Sequence, residues 1–231
     1  MPVFRTKNED FFKIWSPDMA YVLGFFAADG SMYRTNRETC FIEFQITDAD
    51  LLKEIQLLLG SDHKIAVRKR AAKWKPIYRL QIGSKMIFAD LGHLGFTQDK
   101  SKTIRLPKIP KKYFPDFLRG YFDGDGNVIF GYFKKSDRKS LSRAFLTRFT
   151  SGSRLFLADI QKRLSPLSIT GSLYAHNGAW LLSYSSHASE KLFRFMYRNN
   201  AVSSLIYLER KYRIFEDALA SKKQCGRSSI G

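Results

Sequence analysis

The sequence predicts an α+β fold of two tandem αββαββα repeats related by a pseudo-twofold axis. Each repeat carries a four-stranded antiparallel sheet with helices on one side. Three observations lead there. A short apolar segment recurs, D-M-A-Y-V-L-G-F-F-A-A-D-G at 18–30 and D-F-L-R-G-Y-F-D-G-D-G at 116–126. Setting Asp29 on Asp125 places Gly24 on Gly120, Ala28 on Gly124 and Gly30 on Gly126, so each half of the 231 residues owns one copy, and internal repetition of this kind fixes an architecture. After each copy the hydrophobic pattern switches to period two, the spacing of half-buried strands. Twice in each half that pattern forms a hairpin, and a helical stretch separates the two hairpins.

Residues 1–15 mix polar and aromatic side chains and read as a loose arm. The first repeat spans 16–95. Ser16-Pro17-Asp18 is a helix start, a cap residue followed by proline at the first helical position, and the helix runs to about Ala28. Ser31–Arg37 and Cys40–Thr47 form a hairpin in which Ile42, Phe44 and Ile46 alternate with Glu43, Gln45 and Thr47. Asp50 is expected to cap a helix over Leu51–Leu59, ended by Gly60. Lys64–Arg70 and Ile77–Gly83 form the second hairpin, and Ser84 opens a helix to about Leu94. Residues 96–115, with three prolines and a run of lysine and arginine, read as an extended basic strap.

The second repeat, 116–220, keeps the order. Strands are expected at Asn127–Phe133 and Arg143–Thr150, and Ser153 caps a helix to Leu164. Strands at Ile169–Ala175 and Ala179–Ser185 meet at Asn177-Gly178, the dipeptide best suited to a two-residue hairpin turn. Helices at His187–Arg198 and Ser203–Ala220 follow. Residues 221–231 read as a disordered basic tail.

Each copy of the repeated segment is a helix running into a loop, and the trailing glycine suits the left-handed residue that often ends a helix. The aspartate beside it opposes the negative end of the helix dipole. Gly24 and Ala28, and Gly120 and Gly124, are small residues four apart, so they line one helix face and let two backbones approach closely. That contact would bring Asp29 and Asp125 together. Two bare carboxylates at close range resist joint ionisation unless a hard cation such as Mg2+ lies between them.

The net charge is +18, with 39 Lys and Arg against 21 Asp and Glu. It is shared, +8 over 1–112 (20 less 12) and +10 over 113–231 (19 less 9). A basic surface on both halves suits a long polyanion, nucleic acid above all. No run of eighteen apolar residues and no secretory leader are visible, so neither a membrane span nor secretion is expected. Cys40 and Cys225 are isolated and fit a reducing compartment. The expected setting is intracellular, a bacterial or archaeal cytoplasm or an organelle. His63, His93, His176 and His187 share no metal-ligand spacing, which argues against a zinc site, and no phosphate-binding loop implies ATP.

The paired segments, V-L-G-F-F-A-A-D-G at 22–30 and L-R-G-Y-F-D-G-D-G at 118–126, resemble the two motifs of single-chain LAGLIDADG homing endonucleases. In the first copy Ala27 stands where the motif has its first aspartate; the second aspartate is kept as Asp29 and Asp125. The resemblance implies a saddle of two sheets over duplex DNA. It implies a Mg2+-dependent double-strand cut that leaves staggered 3′ overhangs, with Mn2+ as a substitute and Ca2+ binding without supporting cleavage. It gives Asp29, Asp125 and the carbonyls of Ala28 and Gly124 as metal ligands, and Gly24, Ala28, Gly120 and Gly124 as the helix interface. It further offers Gln45 in F-Q-I-T (44–47) and Arg148 in T-R-F-T (147–150), with Thr150 as the alternative, as residues that position water, and Lys100 and Lys211 as basic partners.

A two-stranded ribbon fits the DNA major groove, where Arg and Gln read base edges. The expected DNA-binding set is Arg34, Arg37, Glu43, Gln45, Arg68, Arg70, Lys73, Lys75, Arg79 and Gln81 from the first repeat. The second contributes Lys134, Lys135, Arg138, Arg143 and Arg148. The chain is expected to act as a monomer. Two rivals use the same scaffold, an RNA maturase whose partner is intron RNA, and a DNA-binding regulator without catalysis. Retention of both aspartates argues against the second, because a pure binder gains nothing from buried like charges.

Overall fold

A computed structural model of the chain describes residues 5–69, 71, 73–134, 141–198 and 206–227, with 222–227 as backbone alone. Arg70, Lys135 and Arg138 lie outside the described residues, as does the expected helix start at Ser203.

Helix α1 (Pro17–Asp29) begins where Ser16 Oγ accepts from the Met19 N–H at 3.0 Å. Strands β1 (Gly30–Arg34) and β2 (Cys40–Ile46) follow, then α2 (Ala49–Leu58). Its cap is Asp48, whose Oδ1 accepts from Leu51 N at 3.1 Å, rather than Asp50. A cap needs extended backbone ahead of the first turn; Asp48 has it (φ −106°, ψ 108°), whereas Asp50 is already helical. Strands β3 (Ala66–Arg68) and β4 (Ile77–Gly83) lead to α3 (Lys85–His93), capped by Ser84.

The second repeat runs α4 (Phe114–Asp125), β5 (Gly126–Lys134), β6 (Leu141–Ser151), α5 (Arg154–Leu164), β7 (Ser172–His176), β8 (Ala179–Tyr184), α6 (Ser186–Tyr197) and α7 (Glu209–Arg227). Asn177 and Gly178 both take positive φ, 47° and 78°, as a two-residue hairpin turn requires. Helix α7 continues past Ala220 to Arg227, so it takes in part of the expected tail.

Both sheets are antiparallel, in the orders β1-β2-β4-β3 and β5-β6-β8-β7. Their registers match. Gly30 faces Phe44 in the first sheet and Gly126 faces Phe149 in the second. One face of each sheet carries buried residues under the helices, such as Ile42, Phe44, Leu80 and Ile82, or Phe145, Phe149, Leu182 and Tyr184. Aromatic rings knit each core similarly: Phe26 and Phe122 sit edge-on to Phe44 and Phe149, with ring centroids 5.5 and 5.7 Å apart.

The two halves meet along α1 and α4. A Cβ at Gly24 would lie 2.0 Å from the Phe117 carbonyl oxygen, and one at Gly120 would lie 2.0 Å from that of Tyr21. Only glycine lets the helices lie backbone to backbone. The strap packs on the second repeat: Arg105 makes a two-pronged ion pair with Asp159 of α5, at 2.8 and 3.1 Å. Arg119, at 2% exposure, is buried with Asp116. These two arginines therefore serve the fold instead of offering charge to a phosphate.

Candidate active site and nucleic-acid interface

Asp29 and Asp125 end α1 and α4 where the helices come together. A Cβ on Gly124 would lie 2.4 Å from the Ala28 methyl and 3.2 Å from Asp29 Oδ2, so the missing side chain makes room for both. Gly30 and Gly126 are extended (φ −86° and −89°), not left-handed as expected. They are glycines for a different reason: a Cβ would lie 2.1 Å from the ring of Phe26 or Phe122.

Burial, and then the charge of Asp125, pushes the Asp29 carboxyl up to about 6. Burial also raises Asp125, while Lys100 and Lys211 pull it down. Both lysines are buried, at 7% and 4% exposure. Lys100, in the turn after α3, donates to the Gly30 carbonyl oxygen at 2.6 Å and sits 5.5 Å from the Phe26 ring centre. Lys211, on α7, donates to the Gly126 carbonyl oxygen at 2.6 Å and sits 5.0 Å from the Phe122 ring. Thus the two lysines occupy equivalent places about the pseudo-twofold axis. Lys211 also reaches the carbonyls of Phe122, Asp123 and Gly124 at 2.6, 2.9 and 3.4 Å. Burial lowers both ammonium groups to about 8.

Two carboxylates and the nearby carbonyls of Ala28 and Gly124 make an all-oxygen donor set suited to a hard divalent cation. Among the described residues no group of three or more His, Cys, Asp or Glu could hold a metal ion. A cation here would keep places open for water and phosphate oxygen, as Mg2+ does. Asp123, counterpart of Ala27, accepts from Tyr21 Oη at 2.6 Å and from the Leu208 N–H at 2.9 Å, ahead of α7. It therefore ties α7 to the helix pair. The equivalent segment after the first repeat is a short 3-10 turn, Lys100–Lys102.

A cleft of about 330 Å³ beside Asp29 is lined by Gln45, Thr47, Asp123, Gly124 and Arg210 among others. Gln45 thus stands at the centre as expected. Arg210 was missed, although it neighbours Lys211 in the same E-R-K-Y segment. Register corrects another pairing. Gln45 follows Phe44, so its counterpart is Thr150, which follows Phe149; Arg148 matches Glu43. Arg148 keeps a buried Nε without a hydrogen-bond partner.

The open sheet faces hold some of the expected DNA-binding residues. Arg68, Arg79 and Gln81 lie on the first, with Gln45. Glu43 is not presented to solvent. At 6% exposure it is a hub beneath them, accepting from Gln45 and Gln81 and standing 3.6 Å from Arg79. Arg34 and Arg143 face the helices instead. Arg34 lies over the Phe88 ring of α3, and Arg143 donates to the Ala218 carbonyl of α7 at 2.7 Å. The reason is strand parity: Arg34 is two residues from buried Met32, and Arg143 two from buried Phe145. Lys134 shares the helix-side parity of Tyr132 and Arg143. Arg37, Lys73 and Lys75 are exposed on hairpin loops.

This fold, with its duplicated helix pair, defines a LAGLIDADG protein. The family model described as the LAGLIDADG-like domain matches residues 16–92 and 116–195, and the chain belongs to that family. An uncharacterised protein of Methanocaldococcus jannaschii is 24% identical over 217 residues, covering 89% of this chain and 73% of that one. A probable translation initiation factor IF-2 of Thermococcus kodakarensis is 38% identical over 81 residues, 33% of this chain and 6% of that protein. Among solved structures, the LAGLIDADG meganuclease I-AabMI bound to uncleaved DNA aligns with a TM-score of 0.62 at 13% identity, covering 90% of this chain and 91% of that one. The I-SmaMI LAGLIDADG homing endonuclease bound to cleaved DNA aligns at 0.59 and 14%, covering 91% of each. These likenesses show the fold. No helix among the described residues is long and apolar enough to cross a membrane.

Proposed function

We propose that the chain is a site-specific endonuclease that hydrolyses one phosphodiester in each strand of duplex DNA, leaving staggered 3′ overhangs. The observation that carries this reading is the symmetric set at the helix ends. Asp29 and Asp125 are buried side by side, and Lys100 and Lys211 are bonded to the equivalent carbonyls of Gly30 and Gly126. Such a centre matches the two strands of a duplex, one half to each. The DNA-bound states of I-AabMI and I-SmaMI support DNA as the partner. The site of action is accordingly intracellular, and the chain works as a monomer.

Asp29 and Asp125, with the carbonyls of Ala28 and Gly124, are the residues that would hold Mg2+. Such an ion supplies charge neutralisation at the phosphate and acidifies a water. Lys100 and Lys211 keep positive charge beside the carboxylates and offset their repulsion. Gln45, and Thr150 or Arg148 in the other half, orient water at the edge of the site. Arg210 faces the same cleft and would meet a backbone phosphate.

The test is cleavage of a randomised duplex library with Mg2+, Mn2+ or Ca2+, followed by sequencing of the ends. The expected result is cutting at one long site, with Mg2+ or Mn2+ and not with Ca2+, and loss of cutting in Asp29→Asn and Asp125→Asn with DNA binding retained. Full cutting by Asp125→Asn would overturn the reading. Tight, salt-sensitive binding without cutting in any metal would assign the chain to non-catalytic DNA or RNA binding.

A further inference from the structure

The two open sheet faces have diverged, position by position. Matching registers allow the comparison. In the first sheet Tyr33 pairs with Phe41, Glu43 with Gln81 and Gln45 with Arg79. The equivalent pairs in the second are Ile129 with Leu146, Arg148 with Ser183 and Thr150 with Leu181. Arg79 thus becomes Leu181, Tyr33 becomes Ile129 and Gln81 becomes Ser183.

The chemistry of the faces differs accordingly. On the first, a buried carboxylate organises the donors: Glu43 holds Gln45, Gln81 and Arg79, and Gln81 also reaches the Tyr33 hydroxyl. Side chains fixed in this way present ordered hydrogen-bonding groups to base edges. On the second, Arg148 is the one charged side chain among the described strand residues of that face. Around it stand Ile129, Leu146, Leu181 and Ala144, all half-buried with one side open. The second face adjoins the aspartate pair through Asn127 and Arg148, directly after Gly126. Its place in the saddle makes it continuous with the centre where DNA would lie.

We propose that the two sheets read their halves of one duplex by different means: the first by hydrogen bonds, the second by apolar contact with thymine methyl groups in the major groove. This rests on the reading of the chain as a duplex-DNA enzyme. The thymine C5-methyl is the apolar feature that the major groove offers, and Leu or Ile loses hydration on meeting it without leaving a polar partner unsatisfied. A guanine or adenine edge beneath Leu181 and Ile129 would lose hydrogen bonds to water and gain none.

The experiment uses a duplex selected by the full chain in chelator, where cutting plays no part. The duplex is remade with deoxyuridine for thymidine in one half or in the other, and Kd is measured. Arg79→Ala identifies the first sheet's half by relaxing base preference there. Deoxyuridine in the second sheet's half is expected to weaken binding about fourfold for each contacted methyl, the equilibrium equivalent of one buried CH2. The same change in the first half should leave Kd unchanged. Leu146→Ser should abolish the uracil sensitivity; if that variant does not fold, Leu181→Ser gives the same readout. Equal tolerance of uracil in both halves, sensitivity in the first half, or a footprint confined to one half would overturn the inference while leaving DNA recognition standing. Failure to select any duplex would overturn this inference and the proposed function together.

Discussion

The Tyr21 hydroxyl, on the helix of the first repeat, donates to Asp123 Oδ2 of the second at 2.6 Å. Both groups are buried among apolar side chains, and the same carboxylate oxygen accepts from the Leu208 N–H. Three helices are thereby joined at one atom. Asp123→Asn is expected to cost about 2 kcal/mol by turning part of a charge-assisted network into an amide with a misplaced donor. Tyr21→Phe should cost about 1 kcal/mol. Urea unfolding checks both, and additive losses would show that the two groups are not coupled.

Gly24→Ala and Gly120→Ala should be the most damaging small substitutions in the chain. Each methyl would meet a carbonyl oxygen at 2.0 Å, and that oxygen belongs to a helix backbone that cannot swing aside. A loss of about 3 kcal/mol is expected for each, read as a fall in Tm or in soluble yield. Gly92→Ala is the control, since nothing stands within 4 Å of its Cβ position.

The two buried lysines should differ in stability effect despite their equivalent places. Lys211 supplies four carbonyl contacts at the end of α4, whereas Lys100 supplies one. Lys211→Met should cost about 3 kcal/mol and Lys100→Met about 1 kcal/mol, following the number of buried acceptors left bare. Equal losses in chemical denaturation would count against that account.

The acid limb of stability follows from Asp29, raised from 3.8 to about 6. A carboxyl that holds its proton more tightly when folded favours the native state fully below its unfolded value. That advantage is lost as pH rises through about 6. Metal-free Asp29→Asn should therefore be more stable than the parent at pH 8, by no more than about 3 kcal/mol, and the gain should vanish near pH 4.

Cutting, in turn, should require ionised aspartates and protonated lysines. Its rate is expected to fall below about 6 and above about 8, the values to which Asp29 and the two lysines are moved. A pH–rate profile that stays flat through pH 9 would remove the lysines from the chemistry.

Much of this was legible in the chain itself. The duplicated helix ending in Asp-Gly, the cap residues Ser16, Ser84 and Ser153, and the Asn177-Gly178 turn act through neighbours a few residues away, so their spacing carries their meaning. The orientation of Arg34 and Arg143 depends on strand parity. It could have been read by counting two residues from Met32 and Phe145, but charge suggested an outward side. The match of Gln45 with Thr150 needed the register against Gly30 and Gly126, which pairing across strands alone sets. Likewise the burial of Lys100 and Lys211 depends on helix ends far away in sequence. A lysine's composition gives no hint of that.

Lys211 stands on the last helix, after every other residue of the centre has been made. A nascent chain presents Asp29, then Lys100, then Asp125, and only later the second ammonium that reaches Gly126. Until α7 has docked through Leu208 and Asp123, the two carboxylates face each other with a single buried cation between the halves. Synthesis that stops early thus yields an electrostatically unbalanced product, and the order of the sequence makes completion of the chain the condition for completing the centre.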